Sequence, residues 1–155
     1  MILTTLAQAF NLLPPAMNTQ RAQVMMLSAG FQESGMAVRR QYGNGPARGL
    51  WQFEQGGGVK GVMENAATRE YALAACAARG CEASVGAVWA RLETDDILAA
   101  VFARLLLWAD PHPLPAADDL AGTWDCYLRN WRPGKPRPAD WAHSHALATQ
   151  AMGLS

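Results

Sequence analysis

Apolar residues recur at helical spacing along most of the chain, and polar or glycine-rich breaks divide it into segments. Ile2 to Leu12 reads as a first short helix, stopped by Pro14-Pro15. Asn18 or Thr19 is placed to cap a second, TQRAQVMMLSAGFQES, which is apolar around most of its circumference from Val24 to Phe31. A helix apolar all round is a buried one. At Gly35 the pattern gives way to a polar, glycine-rich segment, Arg39 to Gly58, with weak strand character and a small hairpin expected around Gly43-Asn44-Gly45.

Helical spacing then resumes. VKGVMEN is short, and AATREYALAACAAR is longer and ends at Gly80. Ser84 is placed to cap SVGAVWARL, and Thr94 to cap DDILAAVFARLLLWA, whose acidic first turn suits the helix dipole. Asp110 to Pro115 form a rigid connector. ADDLAGTWDCYLRNW makes another helix, broken at Pro133-Gly134. A last one starts near Pro138 and runs to about Met152. Alanine is frequent and β-branched runs are nearly absent, so the expected fold is mainly α. With 155 residues, no repeats and no linker, residues 1–155 are expected to form a single domain.

Composition narrows the function classes. The formal net charge is zero, so the global attraction expected of a general nucleic-acid binder is absent. A local basic cluster remains: Arg129, Arg132, Lys135 and Arg137 read as a solvated loop or as a site for an anionic polymer. Three cysteines, Cys76, Cys81 and Cys126, lack paired CxxC spacing, and Cys76 and Cys126, in apolar helical patterns, read as buried thiols. His112, His143 and His145 do not form a ligand set, and neither a metal nor another cofactor is expected. No apolar run is long enough to span a bilayer. The apolar amino terminus has no positive n-region, so the expectation is synthesis in a cytoplasm without a signal peptide.

One residue breaks the pattern. Glu33 stands at the C-terminal end of the most apolar helix. The helix dipole and burial both disfavour a carboxylate there and raise its pKa, as a general acid requires. The bland alternative is a solvated glutamate closing the helix. The next segment, GPARGLWQFEQGGG, packs Arg48, Trp51, Gln52 and Glu54 between glycine-rich borders.

Together, Glu33-Ser34 and Gly49-Leu50-Trp51-Gln52-Phe53 resemble the lysozyme-like lytic transglycosylase superfamily, in which Glu-Ser ends a buried helix and a Gly-Leu-x-Gln-x signature lines the sugar cleft. The run from Gln32 to Met63 resembles a branch carried by phages and prophages. Tyr127 to Pro136, YLRNWRPGKP, is similar to the family's Tyr-Asn-x-Gly element, with Asn130 three residues after the tyrosine instead of next to it. The resemblance implies a compact lysozyme-like helical domain whose loop or hairpin insertion forms one wall of a cleft. It implies cleavage of the β-1,4 bond between N-acetylmuramic acid and N-acetylglucosamine, by transglycosylation or hydrolysis. Glu33 would be the single acid/base, and Ser34 would bind sugar or orient the acid. Gln52 would bind the substrate near the cleaved bond, and Tyr127 would face Glu33 across the cleft. The implied partners are peptidoglycan glycan strands and other virion proteins, and the implied setting is a virion or delivery to the periplasm or cell wall.

Several residues keep two readings. Glu54 is either a salt-bridge partner of the nearby arginines or a second carboxylate that activates water. Arg39, Arg40 and Arg48 either meet wall carboxylates or brace Glu54 and helix ends. Trp51 and Trp131 are candidate cleft-lining residues, whereas Trp89, Trp108 and Trp124 fit the core. Gly56 to Gly58 suit either a hinge or close packing under the next helix. The rival from another class is a non-catalytic virion assembly protein that keeps the shape and binds wall or partner proteins.

Overall fold

The computed structural model describes residues 1–154. The chain is mainly α: eight α-helices and no strand among the described residues. They are α1 (Ile2–Phe10), α2 (Gln20–Ser34), α3 (Lys60–Glu64), α4 (Arg69–Ala78), α5 (Val85–Leu92), α6 (Asp96–Ala109), α7 (Leu120–Trp131) and α8 (Pro138–Ala151). No helix among the described residues is long and apolar enough to cross a membrane.

Two helices form the centre. In α2 every residue from Val24 to Gly30 is buried, and in α6 every residue from Leu98 to Leu105. Helix α8 packs along α2, α1 along α6, and α7 bridges α2 and α8. Two polar residues fix the α2–α8 contact from inside. The Ser144 hydroxyl donates to Gln32 Oε1 at 2.8 Å, and Gln32 Nε2 donates to the Arg137 carbonyl at 3.0 Å. Gln32 is 2% exposed, so these bonds replace water that it cannot reach.

The caps follow the sequence with one correction. Thr19 Oγ1 accepts from the Ala22 amide at 3.1 Å, and Ser84 Oγ from the Ala87 amide at 3.3 Å. Helix α6 is capped by Asp95, not Thr94. Arg79 holds the Asp95 carboxylate at 3.0 Å, and its Oδ1 accepts from the Leu98 amide. Thr94 instead bonds back to the Arg91 carbonyl at the end of α5.

The expected hairpin is also corrected. Residues 36–54 form an irregular loop with two isolated antiparallel bridges, Arg40 to Arg48 and Arg48 to Phe53. A 3₁₀ turn, Tyr42–Asn44, occupies the expected tip. Pro46 has no amide to donate, and the Gln41 side chain accepts the Ala47 amide at 3.0 Å, where a second strand would have supplied a carbonyl. Beyond the loop, Gln55–Val59 make a π-helical turn that runs directly into α3. The three glycines belong to this turn, and a Cβ on Gly58 would lie 3.0 Å from the Phe53 ring, so close packing describes that position.

Candidate active site

Glu33 lies in the last turn of α2, where the helix leaves the core and ends at Gly35. Tyr127 reaches it from α7: its hydroxyl donates to Glu33 Oε1 at 2.9 Å. Burial pushes the Glu33 carboxyl up from its ordinary value of 4.5 to about 7. The Tyr127 hydrogen bond and the Arg137 charge pull it down, and the Glu54 carboxylate adds to the upward push. Burial and the adjoining carboxylate also push the Tyr127 hydroxyl far above its ordinary range, so it remains a donor.

An aromatic stack holds Tyr127. Its ring lies 4.9 Å from that of Trp141 and 6.0 Å from that of Trp131, with Trp124 at 5.4 Å. Three indole N–H groups here are satisfied: Trp131 donates to the Trp51 carbonyl at 3.0 Å, Trp51 to the Met26 carbonyl at 2.7 Å, and Trp141 to Thr123 Oγ1 at 3.2 Å. The loop, α2 and α7 are thereby joined through side chains directly behind the acid.

Two hollows meet at Gln52, which lines both. One, of about 650 Å³, contains Glu33 and is walled by Phe31, Val38, Gln41, Tyr42 and Arg137. The other, of about 660 Å³, is walled by Glu54, the triple glycine, Asp110, Trp131 and Arg132. Gln52 has a left-handed backbone, φ 52°, which is strained for a residue with a side chain. Its neighbour Gly49, at φ 81°, must be glycine: a Cβ there would sit 2.7 Å from the Leu92 carbonyl oxygen. The signature segment is thus pressed against the end of α5, and the turn it makes aims Gln52 outward. Gln52 Nε2 donates to the Gly49 carbonyl at 3.0 Å, which steadies the side chain.

The structure brings Glu33, Gln52 and Tyr127 together but corrects several roles. Tyr127 does not face Glu33 across a cleft; it is 3% exposed and touches the acid from the protein side. Ser34 lines the Glu33 hollow, but its hydroxyl is committed to the fold. It donates to the Leu50 carbonyl at 2.6 Å and accepts from the Met36 amide at 3.1 Å, tying α2 to the loop. Trp51 is 1% exposed and belongs to the core, because its indole fills the space against α2. Arg48 is 7% exposed, pairs with Glu93 at 3.2 Å, bonds the Ala47 carbonyl and lies over the Trp89 ring. Neither Trp51 nor Arg48 is free to contact a ligand. Arg39 and Arg40 brace α6 and α5 through Asp96 and Glu93. Glu54 is exposed and, among the described residues, joins no arginine, so its salt-bridge reading is dropped. Trp108, expected in the core, is 40% exposed.

Sequence reasoning missed two features. Arg137 lies beside Glu33 because α8 is anchored to α2 through Gln32; its only signal was membership of the basic cluster. Asp110, in the assumed connector, places a buried carboxylate at the centre of a network. It accepts from the His112 amide, from Asn130 Nδ2 at 2.9 Å and from Arg129 at 3.0 Å. Burial alone would raise its pKa, but these donors outweigh it and hold the carboxyl well below the usual range. Asn130 serves this network. Among the described residues no group of three or more His, Cys, Asp and Glu side chains is placed to hold a metal. Comparison with protein-family models, curated proteins and solved structures returns no match to this chain.

Proposed function

We propose that the protein is a lysozyme-like enzyme that cleaves the β-1,4 bond between N-acetylmuramic acid and N-acetylglucosamine in peptidoglycan, with Glu33 as its general acid/base. The observation that carries this reading is a carboxyl with a pKa of about 7 at the wall of a groove, backed by Tyr127 at 2.9 Å. Such a carboxyl is protonated often enough near neutral pH to act as an acid and ionises readily to act as a base afterwards.

In this mechanism Glu33 gives its proton to the glycosidic oxygen as the bond from the muramyl C1 breaks. The substrate's own acetamido oxygen supports the electron-poor C1, so no second protein carboxylate is needed. The Glu33 carboxylate then takes a proton from the muramyl 6-hydroxyl, giving a 1,6-anhydro end, or from water, giving a reducing end. Gln52 Oε1, opposite the amide nitrogen bound to Gly49, is the acceptor available for a ligand N–H. The hydrogen bond donated by Tyr127 steadies the carboxylate in the second half of the cycle. Delivery to the wall in or by a virion is part of the same proposal, carried by the resemblance of residues Gln32 to Met63.

The test is turbidity clearing or zymography on purified peptidoglycan with wild type and Glu33→Gln. Clearing by wild type and its loss in the variant are expected; a folded wild type that clears nothing refutes the enzyme, and equal clearing refutes Glu33 as the acid. Mass analysis of released muropeptides separates anhydro from reducing ends. The non-catalytic assembly role is favoured by one observation: Ser34 and Arg48, both expected at the substrate, are committed to internal contacts.

A further inference from the structure

The basic cluster is divided by the fold into committed and uncommitted charges. Arg129 is held by Asp110, and Arg137 by Asp140 and the Gln32 carbonyl. Lys135 is exposed and lines neither hollow. Arg132 lines the groove beside Trp131 and, among the described residues, its guanidinium has no carboxylate or hydrogen-bond partner.

Its backbone is unusual for an arginine. At the C-terminal end of α7 it has φ 48° and ψ 55°, the left-handed position that normally goes to glycine. Gln52 is the other non-glycine residue lining this hollow with a positive φ. Pro133 and Pro136 restrict the loop that follows, so less freedom is lost when the arginine is engaged. Glu54 lines the same hollow with the opposite charge. An acidic group on a ligand is repelled by Glu54 and attracted by Arg132, which gives a bound strand a preferred placement.

We infer that Arg132 is a carboxylate-recognition residue, and that the groove selects an acidic glycan strand over a neutral one. The ligand groups are the stem-peptide carboxylates of peptidoglycan, and lactyl carboxylates where the stem has been removed, whose planar oxygens match the guanidinium fork. This deepens the peptidoglycan reading and rests on it.

The experiment is co-sedimentation in the Glu33→Gln background, so that binding is read without turnover. The materials are sacculi free of teichoic acid and the same sacculi with their carboxylates amidated by carbodiimide and glycinamide. The expected result is binding to native sacculi roughly tenfold tighter than to amidated ones, a preference that fades with added salt. Arg132→Gly, which relieves the strained backbone and so preserves the fold, should bind both materials alike at the lower level. Arg132→Lys should regain part of the preference. Equal binding of native and amidated sacculi by the Glu33→Gln protein, or a preference that survives Arg132→Gly, overturns the inference while leaving the enzyme reading intact. Failure to bind either material overturns both.

Discussion

The Tyr127 hydroxyl meets the Glu33 carboxyl at 2.9 Å from inside the protein, across 94 positions of sequence. The contact lowers a pKa that burial raises, so Tyr127 tunes the acid without needing to touch substrate. Tyr127→Phe should therefore move the alkaline limb of the pH–rate profile upward from about pH 7. Glu54 acts in the opposite sense, and Glu54→Gln should move the limb downward. A profile of kcat/KM against pH for the two variants checks both signs. Under the single-acid mechanism Glu54→Gln also keeps kcat within about tenfold of wild type; a loss of 10³ or more would make Glu54 a catalytic carboxylate.

The raised pKa of Glu33 has a stability cost whose pH window is defined. Unfolded, the carboxyl ionises near 4.5; folded, it holds its proton to about 7. Its protonated form suits the native state, so that contribution is intact below pH 4.5 and is lost as pH rises through 7. Glu33→Gln removes the titration. The variant should gain stability relative to wild type between these two pH values and hold a constant advantage above them, at most about 3 kcal/mol. Urea denaturation at pH 4, 6 and 8 measures the difference.

Ser34 is assigned to the fold and not to the ligand. Ser34→Ala leaves the carbonyl of Leu50, a residue 2% exposed, without its 2.6 Å donor. A destabilisation of about 1–3 kcal/mol is expected. KM on peptidoglycan should change little in protein that remains folded. A raised KM with unchanged stability would return Ser34 to the substrate.

Asp110 should govern acid tolerance. Its lowered pKa means that its contribution is present above its ordinary pKa of 3.8 and is lost as pH falls below that value. At neutral pH, Asp110→Asn should cost roughly 2 kcal/mol through the lost Arg129 and His112 contacts. The gap should close on acidification below about pH 4, as followed by thermal unfolding across pH.

The helices were largely legible because their information is local. Thr19, Ser84 and Pro138 begin helices where the chain predicts, and the all-apolar stretch of α2 is buried as its pattern requires. Glu33 stood out for the same reason: it conflicts with its own helix. The loop from Arg39 to Phe53 has no repeating period, so direction could not be read from spacing. Arg48 and Trp51 turn inward because their partners, Glu93 and Met26, lie far away in the chain. The position of Arg137 likewise depends on a side-chain anchor at Gln32 that no local pattern encodes.

Two of the side chains that set the Glu33 pKa, Tyr127 and Arg137, arrive late in the chain. Helix α2 leaves the ribosome roughly a hundred residues before Tyr127 and Arg137, and Trp131 and Trp141 follow in the same final third. Until those segments dock, Glu33 is an ordinary solvated glutamate with a pKa near 4.5. A nascent chain, or one cut before α7, carries the complete Glu33-to-Phe53 signature without the acid strength. The raised pKa of Glu33 is therefore a property of the assembled fold and not of the Glu33-to-Phe53 segment alone.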